Sequence, residues 1–324
     1  MDTLTAPPVR PLPGFGVKRR SRFRAILRGA GLIVLVGILG LGFAYRRQIG
    51  SWLTHHVGSP EHRVPFVAFP IGAQPDLHLA VVGDVGDGGD LEWRLASTMY
   101  VAGRSDDPYD ALLLLGDNVY PYGDPAKLDE YVFRPFAAVT DTGATLYSIT
   151  GNHDALADDG GLAQLEALGM PGFWWTDRVG DVLLVGVDSN QVDNAEQLAF
   201  LETTLMESDA LWKVVAVHHP PYSAGYQGSA KDVREKFSPI FERHGVQLVL
   251  SGHEHDYQRT DEINGVTYVV SGAGAGTRRT GNRSYTAYSA STMNFVDVNV
   301  FEDRMVLRAV DHELMVFDEF ILSP

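Results

Sequence analysis

The sequence contains no cysteine. Disulfides, thiolate metal sites and cysteine nucleophiles are therefore excluded, and any metal must be held by nitrogen and oxygen donors. Positive charge is scarce over most of the chain. Residues 1–50 carry nine of the 26 Lys and Arg but only Asp2 among the 41 Asp and Glu, so 17 basic residues face 40 acidic ones in the remainder, a net charge of about −23 with His neutral. A part this acidic repels a polyanion, which argues against nucleic acid as a partner. Internal repeats and long low-complexity tracts are also lacking. At 324 residues, 45% apolar and 21% charged, the composition is otherwise that of a globular protein with a sizeable core.

Long apolar runs are equally rare, and the first has an unusual setting. Gly29–Tyr45 is uncharged, preceded by Lys18, Arg19, Arg20, Arg22, Arg24 and Arg28 and followed by Arg46 and Arg47. Seventeen mostly apolar residues reach the lower end of a membrane span, and the flanking cations can snorkel. The excess of positive charge before the run predicts a basic cytoplasmic tail over residues 1–28, a single transmembrane helix over 29–45, and a periplasmic or extracellular remainder. A buried core helix rarely carries such a collar. A cleaved signal peptide ending at Gly42–Phe43–Ala44 is the stronger rival, weakened by the arginines that follow and the long tail that precedes. Arg19–Arg20 also hints at twin-arginine export, which Ser21–Arg22–Phe23 fits poorly. Residues 46–75, with Pro60, Pro65, Pro70 and Pro75, predict a semi-rigid linker.

From Asp76 onward short apolar runs alternate with amphipathic helical patterns. Strands are predicted over Leu77–Val82, Ala111–Leu115, Thr145–Thr150, Val182–Val187, Val214–Val217, Val246–Leu250 and Val266–Val270. Helices are predicted over Leu91–Val101, Ala195–Met206 and Lys231–His244, the second opened by Asn194 and Gln197 in the manner of a capping box and the third bent at Pro239. Asn294–Val300, Arg304–Val310 and Met315–Ile321 read as three successive strands. The pattern predicts an α/β fold: two sheets packed face to face, with helices outside.

Function is written where the strands end. Five of them run into Gly83–Asp84–Val85–Gly86, Gly116–Asp117–Asn118–Val119–Tyr120, Gly151–Asn152–His153–Asp154, His218–His219–Pro220 and Gly252–His253–Glu254–His255. Loops at the carboxyl ends of strands in an open α/β sheet line a common crevice, so residues spread along the chain can converge there. Glycine before Asp, Asn or His lets the backbone turn sharply and bring a short side chain to an ion. Singly, each motif is no more than a turn or a helix cap. Their joint occurrence at five strand ends points to a metal site.

This set resembles the five motifs of the purple acid phosphatases, within the calcineurin-like metallophosphoesterase superfamily. The resemblance covers residues 76–324, and Val269–Gly274 is similar to the small, tartrate-resistant branch. It implies a catalytic domain over 76–324 built as a four-layer sandwich of two mixed sheets flanked by helices. It implies two metal ions, the first held by Asp84, Tyr120 and His255, the second by Asn152, His218 and His253, with Asp117 bridging. Tyr120 implies iron at the first site, and the second site suits iron, zinc or manganese. The implied activity is hydrolysis of small phosphomonoesters by metal-activated hydroxide, with His153 as proton donor and Asp154 either orienting it or serving as a loop carboxylate. Asn152 and His153 would also contact the substrate.

Two departures matter. Many superfamily members carry His two residues after the first Asp, where this chain has Gly86; a phenolate from Tyr120 would fill that vacancy, the alternative being that Tyr120 merely packs. Relatives often place a further His nine residues beyond the position of His218, where this chain has Gln227. Glutamine can bind phosphate but supplies no proton. His219 either compensates or packs before Pro220. Arg278, Arg279 and Arg283 follow the turn at Gly272–Gly276 and either hold an anionic substrate group or form a solvated loop. A phosphodiesterase or pyrophosphatase on the same scaffold, and a non-catalytic membrane-tethered metal-binding protein, are the competing functions. No obligate protein partner is evident from the sequence.

Overall fold

The structure, a computed structural model, describes residue 60 and residues 62–69, 74–103 and 107–324. The expected tail over 1–28, the transmembrane anchor over 29–45 and most of the linker lie outside the described residues. Among the described residues no helix is long and apolar enough to cross a membrane.

Strands β1 (Val64–Pro65), β2 (Leu77–Val82), β3 (Ala111–Leu114) and β4 (Thr145–Ser148) belong to one sheet. Strands β5 (Trp175–Val179), β6 (Val182–Val187), β7 (Trp212–Val217), β8 (Leu248–Ser251), β9 (Tyr257–Thr260), β10 (Thr267–Ser271) and β11 (Thr286–Ala290) form a second. The chain then returns to the first with β12 (Asn294–Val300), β13 (Met305–Asp311) and β14 (Met315–Leu322). The orders are β1-β14-β13-β12-β2-β3-β4 and β11-β9-β10-β8-β7-β6-β5. Both sheets are mixed: β2, β3 and β4 run parallel, as do β6, β7 and β8, while β12 is antiparallel to β2 and β5 to β6.

Period-two alternation decides which layer each side chain enters. Leu77, Leu79 and Val81 of β2 join Leu113, Leu184, Val214, Leu250 and Val296 in an apolar layer between the sheets. Ala80 and Val82 face the other way and pack beneath helices α1 (Asp90–Ala102) and α2 (Arg134–Thr140), through Leu95, Met99 and Phe136. After the short α3 (Leu162–Ala167), helices α4 (Ala195–Glu207) and α5 (Lys231–Arg243) cover the second sheet, with Leu201, Leu205, Phe237 and Phe241 against Val185 and Val217. Three apolar layers thus separate four structural ones, as expected. Strands β2, β3, β6 and β8 are buried at every position, which is why they read as nearly continuous apolar runs.

Asn194 caps α4, its side chain accepting from the amides of Glu196 and Gln197. The box is not closed: the Gln197 amide turns instead to the backbone of Asp188 and Gln191. Pro239 lies within the continuous helix α5.

The linker expected over 46–75 is linker only in part. β1 pairs with the start of β14. Arg63 reaches the buried Asp311 at 2.5 Å and Glu313 at 2.6 Å. Arg308 donates to the Val67 carbonyl at 3.1 Å and stacks on the Phe69 ring at 4.1 Å, and Phe69 meets Phe301 edge-on. Sequence periodicity misses a segment held by one short strand pair, two arginines and two aromatics, Phe66 packing on the core beside α1 and α2. Arg63–Phe69 belongs to the packed domain.

Candidate metal centre

All five motifs leave the carboxyl ends of parallel strands, from β2, β3 and β4 in one sheet and β7 and β8 in the other. Backbone hydrogen bonds sew the loops together. Asp84 N donates to Gly116 O at 3.0 Å, Gly252 N to His218 O at 3.1 Å, and Gly83 N crosses between sheets to Ser271 O at 2.8 Å. The motif glycines serve chiefly by being thin. A Cβ on Gly151 would lie 2.2 Å from the amide nitrogen and Oδ1 of Asp117, and one on Gly252 would lie 2.5 Å from Asp84 Oδ2. Asp84, Asp117 and His253 adopt positive φ of 58°, 52° and 69°, three of the five non-glycine residues that do so among those described. Each conformation costs roughly 1–2 kcal/mol. Such strain persists only where surrounding contacts impose it, and here it falls on the residues singled out by the motifs.

Two donor clusters result. In one, the Tyr120 hydroxyl stands 3.2 Å from Asp84 Oδ1, 3.1 Å from Asp117 Oδ2 and 3.2 Å from His255 Nε2. In the other, His218 Nε2 stands 3.2 Å from Asn152 Oδ1, with the His253 ring 5.2 Å from the His218 ring between centroids. Asp117 Oδ2 belongs to both, lying 3.5 Å from His218 Nε2. The His253 backbone amide donates to Asp84 Oδ2 at 2.7 Å, closing the circle. All seven metal-ligand residues singled out in the sequence therefore meet.

The donor set fits a pair of cations. Asp84 and Asp117 are at most 2% exposed, and among the described residues no Lys or Arg pairs with either. Buried carboxylates without a counter-charge are strongly unfavourable unless a cation joins them. Burial alone would push His218 down, but Asp117 and then Asp84 carry it up to about 10, so a proton stands in for positive charge. Burial and the two carboxylates push the Tyr120 phenol far up. His218 Nδ1 is bound to Leu115 O at 2.7 Å, which fixes the ring with Nε2 towards the cluster, as metal-bound imidazoles are fixed.

The remaining expected residues are placed as follows. His153 packs edge-on to Tyr120; its amide donates to Asp117 Oδ1 at 2.8 Å and its Nδ1 bonds Pro121 O at 2.9 Å. Asp154 does not orient it. The buried Asp154 carboxylate accepts from the amides of Asn118, Val119 and Gly151 and from Asn118 Nδ2, pinning the second motif to the third. Of its two sequence readings, the loop carboxylate is the correct one. His219 Nδ1 bonds Ser189 Oγ at 2.7 Å and its ring lies 4.4 Å from that of His253. Burial, then His218, push His219 down to about 3, and its ring stands with those of His218 and His253 as a group that could hold a metal ion. Gln227 Nε2 donates to His253 O at 3.1 Å. The Arg278 amide donates to His255 O at 2.6 Å, placing that residue beside the centre, whereas Arg279 and Arg283 are exposed on the loop beyond.

Sequence reasoning missed a sixth loop. After β6, Ser189 braces His219 and Asn190 Nδ2 reaches Gly151 O at 3.3 Å. The signal was present as Asp188–Ser189–Asn190 at another strand end, but without a metal-ligand pattern to mark it.

A family model described as calcineurin-like phosphoesterase matches residues 76–257. Purple acid phosphatase 17 of Arabidopsis thaliana is 28% identical over 243 residues, 64% of this chain and 70% of that one. Tartrate-resistant acid phosphatase type 5 of Oryctolagus cuniculus is 37% identical over 78 residues, 24% of each chain. Among solved structures, the purple acid phosphatase PPD1 of yellow lupin aligns with a TM-score of 0.66 at 19% identity, over 76% of this chain and 53% of that one. GAP50, the anchor in the inner membrane complex of Plasmodium, aligns equally well at 17% identity, over 76% and 88%. The two structural likenesses show the shared fold, and the family model carries it further: the chain belongs to the calcineurin-like phosphoesterase family, as a metal-dependent phosphoric ester hydrolase with purple acid phosphatases among its relatives.

Proposed function

We propose that the protein is a membrane-anchored phosphatase that hydrolyses small phosphomonoesters outside the cytoplasm. The observation that carries the first part is the Tyr120 hydroxyl within 3.2 Å of Asp84, Asp117 and His255. On this reading Asp84, Tyr120 and His255 would hold iron, Asn152, His218 and His253 would hold iron, zinc or manganese, and Asp117 would serve both. Such a pair polarises the phosphoryl oxygens and lowers the pKa of bound water to supply the nucleophile.

The chain's own residues do the rest. His153 keeps Nδ1 on the Pro121 carbonyl, so Nε2 is left to hold the proton that the departing alkoxide takes. Asn152 and His153 approach the phosphoryl group from one side. Gln227 and Arg278 approach from the side of His253 and His255, and Arg279 extends that bank into solvent. Metal-loaded protein is expected to cleave a chromogenic aryl monoester at least about tenfold faster, in kcat/KM, than the diester of the same alcohol, a difference of about 1.4 kcal/mol in transition-state binding. The opposite preference would make it a diesterase, and no turnover of either would leave a binding protein.

The anchor and the location rest on the basic collar and the uncharged run Gly29–Tyr45. Protease added outside an intact inner membrane is expected to digest the catalytic domain. Complete protection would place that domain in the cytoplasm.

A further inference from the structure

Glu254 lies between the two histidines of its motif and is fully buried, yet its carboxylate serves another segment. Oε1 accepts from Gly228 N at 2.5 Å and from Ser223 Oγ at 3.4 Å. Oε2 makes no hydrogen bond and lies against Gly225, where a Cβ would come within 2.6 Å of it. Gln258 acts alongside: its Oε1 accepts from Ala224 N at 2.6 Å, and its Nε2 donates to Asp256 Oδ1 at 2.9 Å. Glu254, Asp256 and Gln258 alternate along the chain and turn to the same side, under the segment Ser223–Gly228. The tip of that segment carries Tyr226, 39% exposed, and Gln227, whose side chain returns to His253 O.

Burying a carboxyl with one oxygen unpaired costs on the order of 1–3 kcal/mol, so a segment needing only burial would rest better on an apolar side chain. We infer that Glu254 is a positioning residue that clamps Ser223–Gly228 onto the histidine loop and thereby sets where Gln227 meets the phosphoryl group. The inference rests on the phosphatase reading above, with Gln227 as a substrate contact. It gives the glycine at 225 a reason: its φ lies outside the left-handed range, so only close approach to Glu254 and Gln258 requires it.

The test uses the full-length, metal-loaded protein and five variants, among them Gln227→Ala alone. Glu254→Ala and Gly225→Ala should each raise KM for an aryl monoester about tenfold, the worth of one hydrogen bond to a charged group, with kcat within about twofold. Metal content should not change. Glu254→Gln keeps an acceptor in place and should restore most of the loss. Combined with Gln227→Ala, Glu254→Ala should add nothing, because both remove one contact. Amide exchange should quicken over Ala224–Gly228 in both clamp variants and stay unchanged in β7 and β8. Additive KM effects, or lost metal with unchanged exchange over 224–228, would overturn the clamp. Should Glu254→Ala fail to fold, Gly225→Ala tests the clamp in its place, by the same KM and exchange readouts. Were the wild type to cleave no monoester, the phosphatase reading would fall, and exchange together with inorganic phosphate affinity would still judge the clamp.

Discussion

Asp117→Ala is expected to lower kcat by more than about 10³-fold and to leave the protein unable to retain two metal ions, because one carboxylate oxygen serves both donor clusters. Removing a single preorganised electrostatic contact already costs about 10²–10³ in rate, and here both metal positions lose a ligand. Asp117 Oδ2 lies 3.1 Å from the Tyr120 hydroxyl and 3.5 Å from His218 Nε2, while Oδ1 holds the His153 amide. The metal-free protein should suffer far less. Without cations, Asp84 and Asp117 share the positive charge of protonated His218, so deleting Asp117 removes one ion pair but leaves Asp84 to balance His218 alone. Alanine in the left-handed conformation at φ 52° adds a cost of about 1 kcal/mol. Thermal unfolding with and without metal separates these effects. The melting temperature of metal-free Asp117→Ala should stay near that of metal-free wild type, and the rise on adding metal should vanish. Wild-type metal content in Asp117→Ala would rule out the bridging assignment.

Asp154 gives the contrasting case. It accepts from three amides and one side-chain amide in a fully buried position. Truncating it would strand three backbone donors, each costing about 1–3 kcal/mol, while Asn118 Nδ2 keeps Ile149 O and Gln164 Oε1, so Asp154→Ala loses the fold before it loses the metal. Adjacent carboxylates on neighbouring motifs thus do unlike work, and sequence cannot separate them, because the difference lies in which loop each faces.

The central strands were legible because both faces of the sheets are covered: Leu77–Val82 and Val182–Val187 are buried throughout, carry no polar side chain except His78, which Asp297 pairs, and end where their apolar runs end. Four strands were not, β1 among them, whose two residues fall within the expected linker. β5 holds Thr176, Asp177 and Arg178 at an exposed edge. β9 buries Gln258 and Thr260, their polarity matched by Asp256, Ala224 and Tyr268 across the fold. β11 offers small residues with little alternation. The same division holds at the site. Residues that would meet a metal carry a chemical signature in their own motif, whereas Asn118, Ser189 and Glu254 act only by reaching a distant segment, which no local pattern records.

Tyr120→Phe should bleach the oxidised, iron-loaded protein. A phenolate bound to ferric iron absorbs in the visible by charge transfer from oxygen to metal, and zinc, with its filled d shell, has no such band. The hydroxyl is the atom that matters: it stands 3.1–3.2 Å from Asp84, Asp117 and His255, while the ring rests edge-on against His153 at 4.7 Å. Phenylalanine keeps the ring and removes the oxygen, so the packing cost is small and the lost hydrogen bonds amount to about 1–2 kcal/mol in the metal-free state. Nothing nearby can replace the donor. A Cβ on Gly86 would lie 2.2 Å from the carbonyl carbon and oxygen of Asn118, so that position cannot carry a side chain, and Tyr120 N is tied to Gly86 O at 2.7 Å. The glycine and the tyrosine are a matched pair, and Gly86→His should fail to restore the ligand. Asn152, His218 and His253 are untouched, so metal content should fall by one ion rather than two. If the oxidised, iron-loaded wild type is colourless, or the mutant keeps the band unchanged, Tyr120 is not a ligand to ferric iron. The phosphoesterase site would then rest on the other six residues alone.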